Sequence, residues 1–282
     1  MDKKKSYKEL LNIPDNLKNK LPTSYDVIGN ILVLKLDPEL INYKIEIGSV
    51  LHKVNKNVKT VCLIQPVKGE LRTRDMDIIA GEKSTETIHK EFGLRFKVDV
   101  KKTYFSPRLA TERKHVKDQV KVGETVVDMF AGVAPFSIMI AKYANPKIVY
   151  AFDKNKDAVK YANYNIKINN VLDKVEVINT DAIKINDILG KKGITVDRII
   201  MNLPFSSYLF FGSALKVIAD TCTIHYYDIL KEEDIEKRKN ELKEIAEKVN
   251  VILSNFNVRK IKTYAPREFY IGIDITAKRM PM

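Results

Sequence analysis

"ETVVDMFAGVAPFSI", Glu124 to Ile138, decides the fold. Thr125, Val126 and Val127 form a short β-branched run, which predicts a buried strand ending at an acidic residue, Asp128. Gly132 then lets the backbone turn tightly and approach a ligand, and Ala131 and Ala134 keep the bend uncrowded. Pro135 opens the next helix. The same alternation recurs downstream. "KIVYAFD" (147–153), "KVEVINTD" (174–181), "VDRIIMN" (196–202) and "TIHYYDIL" (223–230) read as strands with acidic or polar ends. "NKDAVKYANYNIKINN" (155–170) and "FFGSALKVIAD" (210–220) read as helices between them. This pattern implies an α/β, Rossmann-like domain with a mostly parallel sheet over residues 116–282. "EEDIEKRKNELKEIAEKV" (232–249) sets Ile235, Leu242, Ile245 and Val249 on one face, as a packed surface helix would. "FYIGIDITAKR" (269–279) closes the chain as an alternating strand.

Residues 1–115 carry a different pattern, that of a smaller α+β domain. "NILVLKL" (30–36), "TVCLIQ" (60–65) and "RFKVDVKKTYF" (95–105) read as strands, and "LINYKIEIGSVLHKV" (40–54) as an amphipathic helix. The net charge is +13, with 23 Lys and Arg against 15 Asp and Glu in residues 1–115 and 26 against 21 in residues 116–282. A basic excess concentrated in one domain suits a polyanion such as nucleic acid, although a lysine-rich surface or heat-adapted ion-pair networks produce the same balance. Two distant cysteines, Cys62 and Cys222, and four histidines argue against a metal site and for a reduced, cytoplasmic setting. No apolar run reaches the length of a membrane span, and "MDKKKSYKEL" lacks the apolar core of a signal peptide.

In open parallel sheets, ligands bind at the carboxyl ends of the strands. The G-x-G-x-x-G fingerprint is absent from "DMFAGVAPFSI", which disfavours a pyrophosphate cradle. Asp153, 21 residues after Gly132, is placed to accept from both ribose hydroxyls, or else caps the following helix. Asp181, in "NTDAI", is placed to face an adenine edge, and Asp128 either binds cofactor or braces its loop. Together these describe a nucleoside pocket without phosphate donors, which fits S-adenosylmethionine better than a dinucleotide. Asn202-Leu203-Pro204-Phe205 ends the fourth strand where methyltransferases acting on base amino groups carry Asn/Asp-Pro-Pro-Tyr/Phe. Pro204 stiffens a backbone that presents the Asn202 amide; an ordinary strand-to-helix turn is the competing reading. The helix start "YFSPRLATER" (104–113) breaks local rules. Ser106 and Pro107 open a helix well, yet Arg108 stands in the first turn, where the dipole disfavours cations.

Taken together, "GELRTRDMDIIAGE", "YFSPRLATER", "DMFAGVAPFSI", "FDKN" and "NLPF" resemble the archaeal and eukaryotic tRNA (guanine-37-N1)-methyltransferase family. The resemblance spans residues ~20–282. It implies a class I, S-adenosylmethionine-dependent enzyme that methylates N1 of the guanosine 3′ of the anticodon, acting as a monomer on the tRNA anticodon stem-loop. Carried over by position, it makes Glu112 the general base and Arg72 the cation that stabilises charge growing on O6. Asn202 and Pro204 would hold the guanine edge, and Tyr104, Arg108, Arg113 and Phe205 would contact the nucleotide and its neighbours. The cofactor would be bound by Asp128, Phe130, Ala131, Gly132, Val133, Asp153, Lys154, Asp181, Ala182 and Asn202. For Tyr104 and Phe205, plain packing is an alternative. The chain departs from the family in two respects. Ala134 stands where G-x-G-P-F has its second glycine, and the further N-terminal domain of larger members has no counterpart, implying a short form.

Related functions compete on this scaffold. One transfers an aminocarboxypropyl group to a wyosine precursor at the same nucleotide, and a dual enzyme would methylate both guanosine and that precursor. An exocyclic-amine methyltransferase needs no carboxylate base and prefers proline where Leu203 stands. A non-catalytic RNA-binding module would bind without methyl transfer.

Overall fold

The computed structural model of the chain describes residues 6–64 and 75–281. The chain divides into two compact units, Met1–Ala110 and Thr111–Met282. In the first, a short helix α1 (Asp15–Lys18) precedes β1 (Asp26–Ile28) and β2 (Ile31–Leu34). Helix α2 (Lys44–Val54) connects β2 to β3 (Thr60–Ile64), and β4 (Met76–Gly81) follows. The sheet order is β1-β2-β3-β4, with β2 and β3 parallel and the outer pairs antiparallel. Every residue of β2 and β3 is buried, so both strands read as continuous apolar runs rather than alternating ones. Ile47 and Leu51, one turn apart on α2, pack with Leu32, Leu63 and Ile79. A separate hairpin pairs β5 (Glu86–Glu91) with β6 (Leu94–Asp99). The strand expected over 95–105 stops at Asp99. Its carboxylate accepts from the Lys101 N–H at 3.0 Å and its carbonyl from the Thr103 N–H at 2.9 Å, which closes a turn.

The second unit opens with α3 (Ala110–Gln119). Ser106 stands at the N-cap and Pro107 opens a 3₁₀ turn, Pro107–Leu109, that runs into α3, so the helix starts at Ser-Pro as expected, although the Ser106 side chain makes no cap hydrogen bond there. Then come β7 (Thr125–Asp128), α4 (Pro135–Tyr143), β8 (Ile148–Asp153), α5 (Lys156–Ile168) and β9 (Val175–Asn179). Next are α6 (Ile185–Ile188), β10 (Val196–Met201), α7 (Ser207–Leu215) and β11 (Ile218–Lys231). The unit ends with α8 (Ile235–Glu247), β12 (Val251–Ala265) and β13 (Glu268–Arg279). The seven strands lie in the order β12-β13-β11-β10-β7-β8-β9. Strand β13 is antiparallel to both neighbours and the other pairs are parallel. Strand order reverses between β7 and β10, which places a ligand crevice at their carboxyl ends. No helix among the described residues is long and apolar enough to cross a membrane.

The tail of "FFGSALKVIAD" is strand, not helix, because Ile218 already pairs with Val196 of β10. Strand β12 had no counterpart in the sequence reading. Register shifts at Ser254/Asn257, Lys260/Lys262 and Thr263/Ala265 break its alternation.

Alternation along β11 and β13 sorts their side chains onto two faces. Ile224, Tyr226, Ile271, Ile273 and Ile275 enter the apolar core with Phe211, Leu215, Leu242 and Ala246 of α7 and α8. The opposite face carries His225, Tyr227, Gly272 and Asp274, and meets Glu112, His115 and Gln119 of α3 through hydrogen bonds. Next to it, the Arg198 side chain of β10 is 3% exposed. It donates to both oxygens of Glu124 at 2.7 and 3.0 Å, to the Gln119 carbonyl at 2.7 Å and to His225 Nε2 at 2.7 Å. His225 therefore accepts at Nε2 and donates from Nδ1 to Asp274 at 2.7 Å, and burial holds it neutral by lowering its pKa. Deleting one partner of a buried pair strands the other charge. Glu124→Ala is expected to lower unfolding stability by about 3 kcal/mol, read as a lower urea midpoint at unchanged slope. A loss below about 1 kcal/mol would show that Arg198 does not depend on this partner.

Candidate active site

The loop after β7 is tied to the neighbouring strands β8 and β10 and to itself. The Met129 N–H donates to the Ile200 carbonyl at 3.0 Å, Ala131 to Phe152 at 2.8 Å, and Ala134 to Ala131 at 2.8 Å. The Gly132 N–H donates to Asp153 Oδ2 at 2.7 Å, and the Asn165 amide holds the Val133 carbonyl at 3.1 Å. With these N–H groups engaged, the loop offers no cradle for phosphates, in contrast to a dinucleotide-binding turn. Gly132 has φ +56° and Ala134 φ +65°, so the departure from glycine at Ala134 puts a side chain into a left-handed conformation. The loop tolerates that strain because its neighbours fix it on every side.

Asp128 is 1% exposed. Ser137 donates to its Oδ2 at 2.9 Å, while Oδ1 is buried with no hydrogen-bond partner. Burial, aided by the nearby Asp153 charge, pushes its pKa up to about 7 against the pull of the Ser137 hydroxyl. Asp153, at the end of β8, accepts from Gly132 through Oδ2 and from Asn155 at 2.8 Å through Oδ1, and burial raises its pKa too. Asn155, not Asp153, caps α5. Asp181 caps the turn after β9, accepting from Ile183 at 3.0 Å, and Ala182 beside it is buried. The donor set fits a nucleoside that carries hydroxyls and an ammonium: unpaired buried carboxylate oxygen on one side, a half-used carboxylate on the other.

Across the strand reversal, the 202–205 loop is equally fixed. Tyr270 donates to Asn202 Oδ1, and the Asn202 amide nitrogen has no partner among the described residues. Ser207 Oγ accepts from Leu203 at 3.2 Å and donates to the Met201 carbonyl at 2.8 Å. The Phe205 N–H donates to the buried Asp228 carboxylate at 3.0 Å, which holds Phe205 at φ +71° with its ring half exposed. That ring meets Tyr264 edge-on at 5.6 Å.

Glu112 is 7% exposed, in the first turn of α3. Tyr227 and Arg259 each donate to its Oε1 at 2.8 Å. Among the described residues nothing donates to its Oε2. Tyr227 and Tyr270 lie 6.1 Å apart between ring centres, so two adjoining tyrosines connect Glu112 to Asn202. Arg113 is 1% exposed, a position that suits bracing more than RNA contact. In the first unit, Arg108 pairs with Asp26 at 2.5 Å rather than with Glu112, and Tyr104 is half-buried. Arg72 lies outside the described residues. Tyr227, Tyr270, Asp228, Arg259 and Asp274 were not anticipated from the sequence. Each has at least one partner more than twenty residues away in the sequence.

Residues 87–254 match the family described as the TRM5/TYW2 methyltransferase domain, and residues 7–85 the TYW2 N-terminal domain. The chain is 45% identical over 271 residues to the tRNA (guanine(37)-N(1))-methyltransferase Trm5b of Pyrococcus abyssi, covering 95% of this chain and 79% of the relative. It is 34% identical to the tRNA(Phe) (4-demethylwyosine(37)-C(7)) aminocarboxypropyltransferase of Methanocaldococcus jannaschii, over 91% of this chain and 98% of that one. Among solved structures, P. abyssi Trm5b superposes with a TM-score of 0.87 at 44% identity, covering 97% of this chain and 81% of the other. A complex of aTrm5 and tRNALeu gives 0.83 at 35% identity, covering 98% and 79%. M. jannaschii TYW2 in complex with AdoMet gives 0.70 at 31%, covering 91% and 100%. A strand order that reverses beside a phosphate-free nucleoside site, together with this degree of identity along nearly the whole chain, places the protein in the TRM5/TYW2 methyltransferase family.

Proposed function

We propose that the protein transfers a methyl group from S-adenosylmethionine to N1 of guanosine 37 in tRNA. The observation that carries this reading is Glu112: a nearly buried carboxylate with one oxygen tied to Arg259 and Tyr227 and the other without a donor among the described residues, two tyrosines from Asn202. Exocyclic-amine transfer has no need of such a base, whereas N1 of guanine carries a hydrogen that must leave. The identity to relatives named for this activity supports the same reading.

When bound, S-adenosylmethionine supplies a sulfonium-activated methyl group. Asp153 would accept from the ribose hydroxyls, and Asp128 Oδ1 would receive the ammonium. Phe130, Ala131, Gly132, Val133, Lys154, Asp181 and Ala182 complete the surround. Asn202, its Oδ1 held by Tyr270, would present its N–H groups to the guanine edge, with Pro204 keeping the turn stiff. Glu112 would take the N1 proton through Oε2 as the N1–carbon bond forms and the carbon–sulfur bond breaks. The negative charge that would otherwise collect on O6 is the role assigned to Arg72. Tyr104, Arg108 and Phe205 would serve the RNA, the last two being exposed enough to reach it. Phe205 would act as a stacking surface.

A second reading has its own support. The N-terminal match is to a TYW2 domain, and the aminocarboxypropyltransferase relatives are covered almost end to end. Both reactions start from the same sulfonium, so the product decides. Incubation with S-adenosylmethionine of unmodified tRNA transcripts and, in parallel, of tRNA carrying the wyosine precursor at position 37, followed by nucleoside mass spectrometry, is expected to give one methyl on guanosine 37; an aminocarboxypropyl adduct on the precursor, without methylguanosine in the transcripts, overturns the assignment. Glu112→Gln is expected to lower kcat by about 10²–10⁴ with little change in tRNA affinity. Wild-type turnover across neutral pH in that variant would remove Glu112 from the mechanism. Asp128 yields a further test. Its proton is held up to about pH 7, and a ligand ammonium prefers the ionised form, so cofactor affinity must fall as pH drops through that value. Calorimetric titration of S-adenosylmethionine should show this dependence in the wild type and lose it in Asp128→Asn; a flat wild-type profile would place the ammonium elsewhere.

A further inference from the structure

The three strands beneath Glu112 are in a register that makes one cross-strand row of Arg259 (β12), Gly272 (β13) and Tyr227 (β11). The next row on that face pairs Asp274 with His225. Gly272 has no left-handed backbone to explain it; what it provides is space. A Cβ built there would lie 3.1 Å from Arg259 Nη2 and 3.2 Å from Tyr227 Cε1. The missing side chain is what allows a guanidinium from one flanking strand and a phenol from the other to close over the middle strand and meet the same carboxylate oxygen.

Arg259 is aimed from behind. Nη2 bridges Glu112 Oε1 at 2.8 Å and Asp274 Oδ1 at 3.1 Å, and Nη1 contacts Asp274 Oδ2 at 2.5 Å. Its Nε is buried and unpaired, so the end of the group is held by carboxylates alone. Burial opposes its charge, but the bonds to Asp274 and Glu112 outweigh that and keep it protonated. Asp274 is itself anchored by His225 at 2.7 Å and by Gln119 at 3.1 Å. Tyr227 stays a phenol, and so a donor, because burial and the Glu112 charge raise its pKa well above 10.0.

We propose that Arg259 and Tyr227, converging over Gly272, are positioning residues: they tie down Oε1 of Glu112 and thereby aim Oε2 as the proton acceptor. The inference rests on Glu112 being the base. A carboxylate with both oxygens free would rotate and drift; one fixed at a single oxygen by two donors has one productive orientation. The titratable groups facing it are Tyr227 on β11, Arg259 on β12, Asp274 and Tyr270 on β13, and His115 on its own helix.

The test uses the full-length protein and tRNA transcripts, with kcat and KM measured across pH for Arg259→Met, Arg259→Lys, Tyr227→Phe and Gly272→Ala. Arg259→Met is expected to lower kcat at least tenfold with KM for tRNA and S-adenosylmethionine within about threefold of wild type. Arg259→Lys should recover part of the loss. Gly272→Ala keeps every polar group yet displaces both donors by a few tenths of an ångström, and should lower kcat without shifting cofactor KM; with Tyr227→Phe it decides the matter if Arg259→Met does not fold. In a Glu112→Gln background Arg259→Met should cause no further loss, because it acts through the missing carboxylate. Folded Arg259→Met, Gly272→Ala and Tyr227→Phe variants with wild-type kcat would overturn the positioning role. If Glu112→Gln is itself fully active, the base assignment fails first, and the two failures are told apart.

Discussion

The Asp274 carboxylate is the point on which the catalytic half of the second unit turns. It accepts from His225, Gln119 and Arg259, and those bonds hold its pKa far below the usual carboxylate range despite burial. Through His225 it reaches Arg198 and Glu124, and through Arg259 it reaches Glu112. The chain of contacts contains three carboxylates and two guanidiniums, with His225 neutral. An arrangement one cation short of balance is able to take up a proton, as a base must. It also explains why one face of β11 and β13 is polar while the other is an ordinary apolar core.

The cofactor side uses carboxylates in a different way. Asp128 and Asp153 are both pushed towards their neutral forms by burial, and the loop N–H groups near them are engaged by β8, β10 and the loop itself. Such a site has acceptors to offer and few donors, which selects hydroxyls and an ammonium over phosphate. The reversal of strand order between β7 and β10 brings this acceptor-rich loop beside the Asn202 turn. A donor amide and the fixed Glu112 carboxylate on one side, and an acceptor-rich loop on the other, are what the proposed methyl transfer to a ring nitrogen would use.

Much of this was legible in the sequence, for a definite reason. The residues at strand ends, Asp128, Gly132, Asp153, Asp181 and Asn202, stand where local patterning marks a strand, and their placement follows from the parallel sheet alone. The residues that support them were not legible. Tyr227 and Arg259 are separated from Glu112 by 115 and 147 positions, and no local pattern announces that their side chains meet. Gly272 reads as a glycine in a strand and nothing more. Strand β12 escaped because its bulges interrupt the period of two, and the partner of Arg108 escaped because Asp26 lies far away in sequence.

Strand β12 is the outermost strand of the seven, so Arg259, which holds Glu112 Oε1, is carried on a sheet edge that among the described residues is paired on one side only. Edges fray before cores do, and contacts closing the longest chain separations are the last to be gained in folding. Warming or mild denaturant is therefore expected to loosen the Arg259 edge before the interior strands β7 and β8, which end at Asp128 and Asp153. On the proposed reading, proton acceptance at Glu112 would be lost before the strands that carry Asp128 and Asp153 come apart.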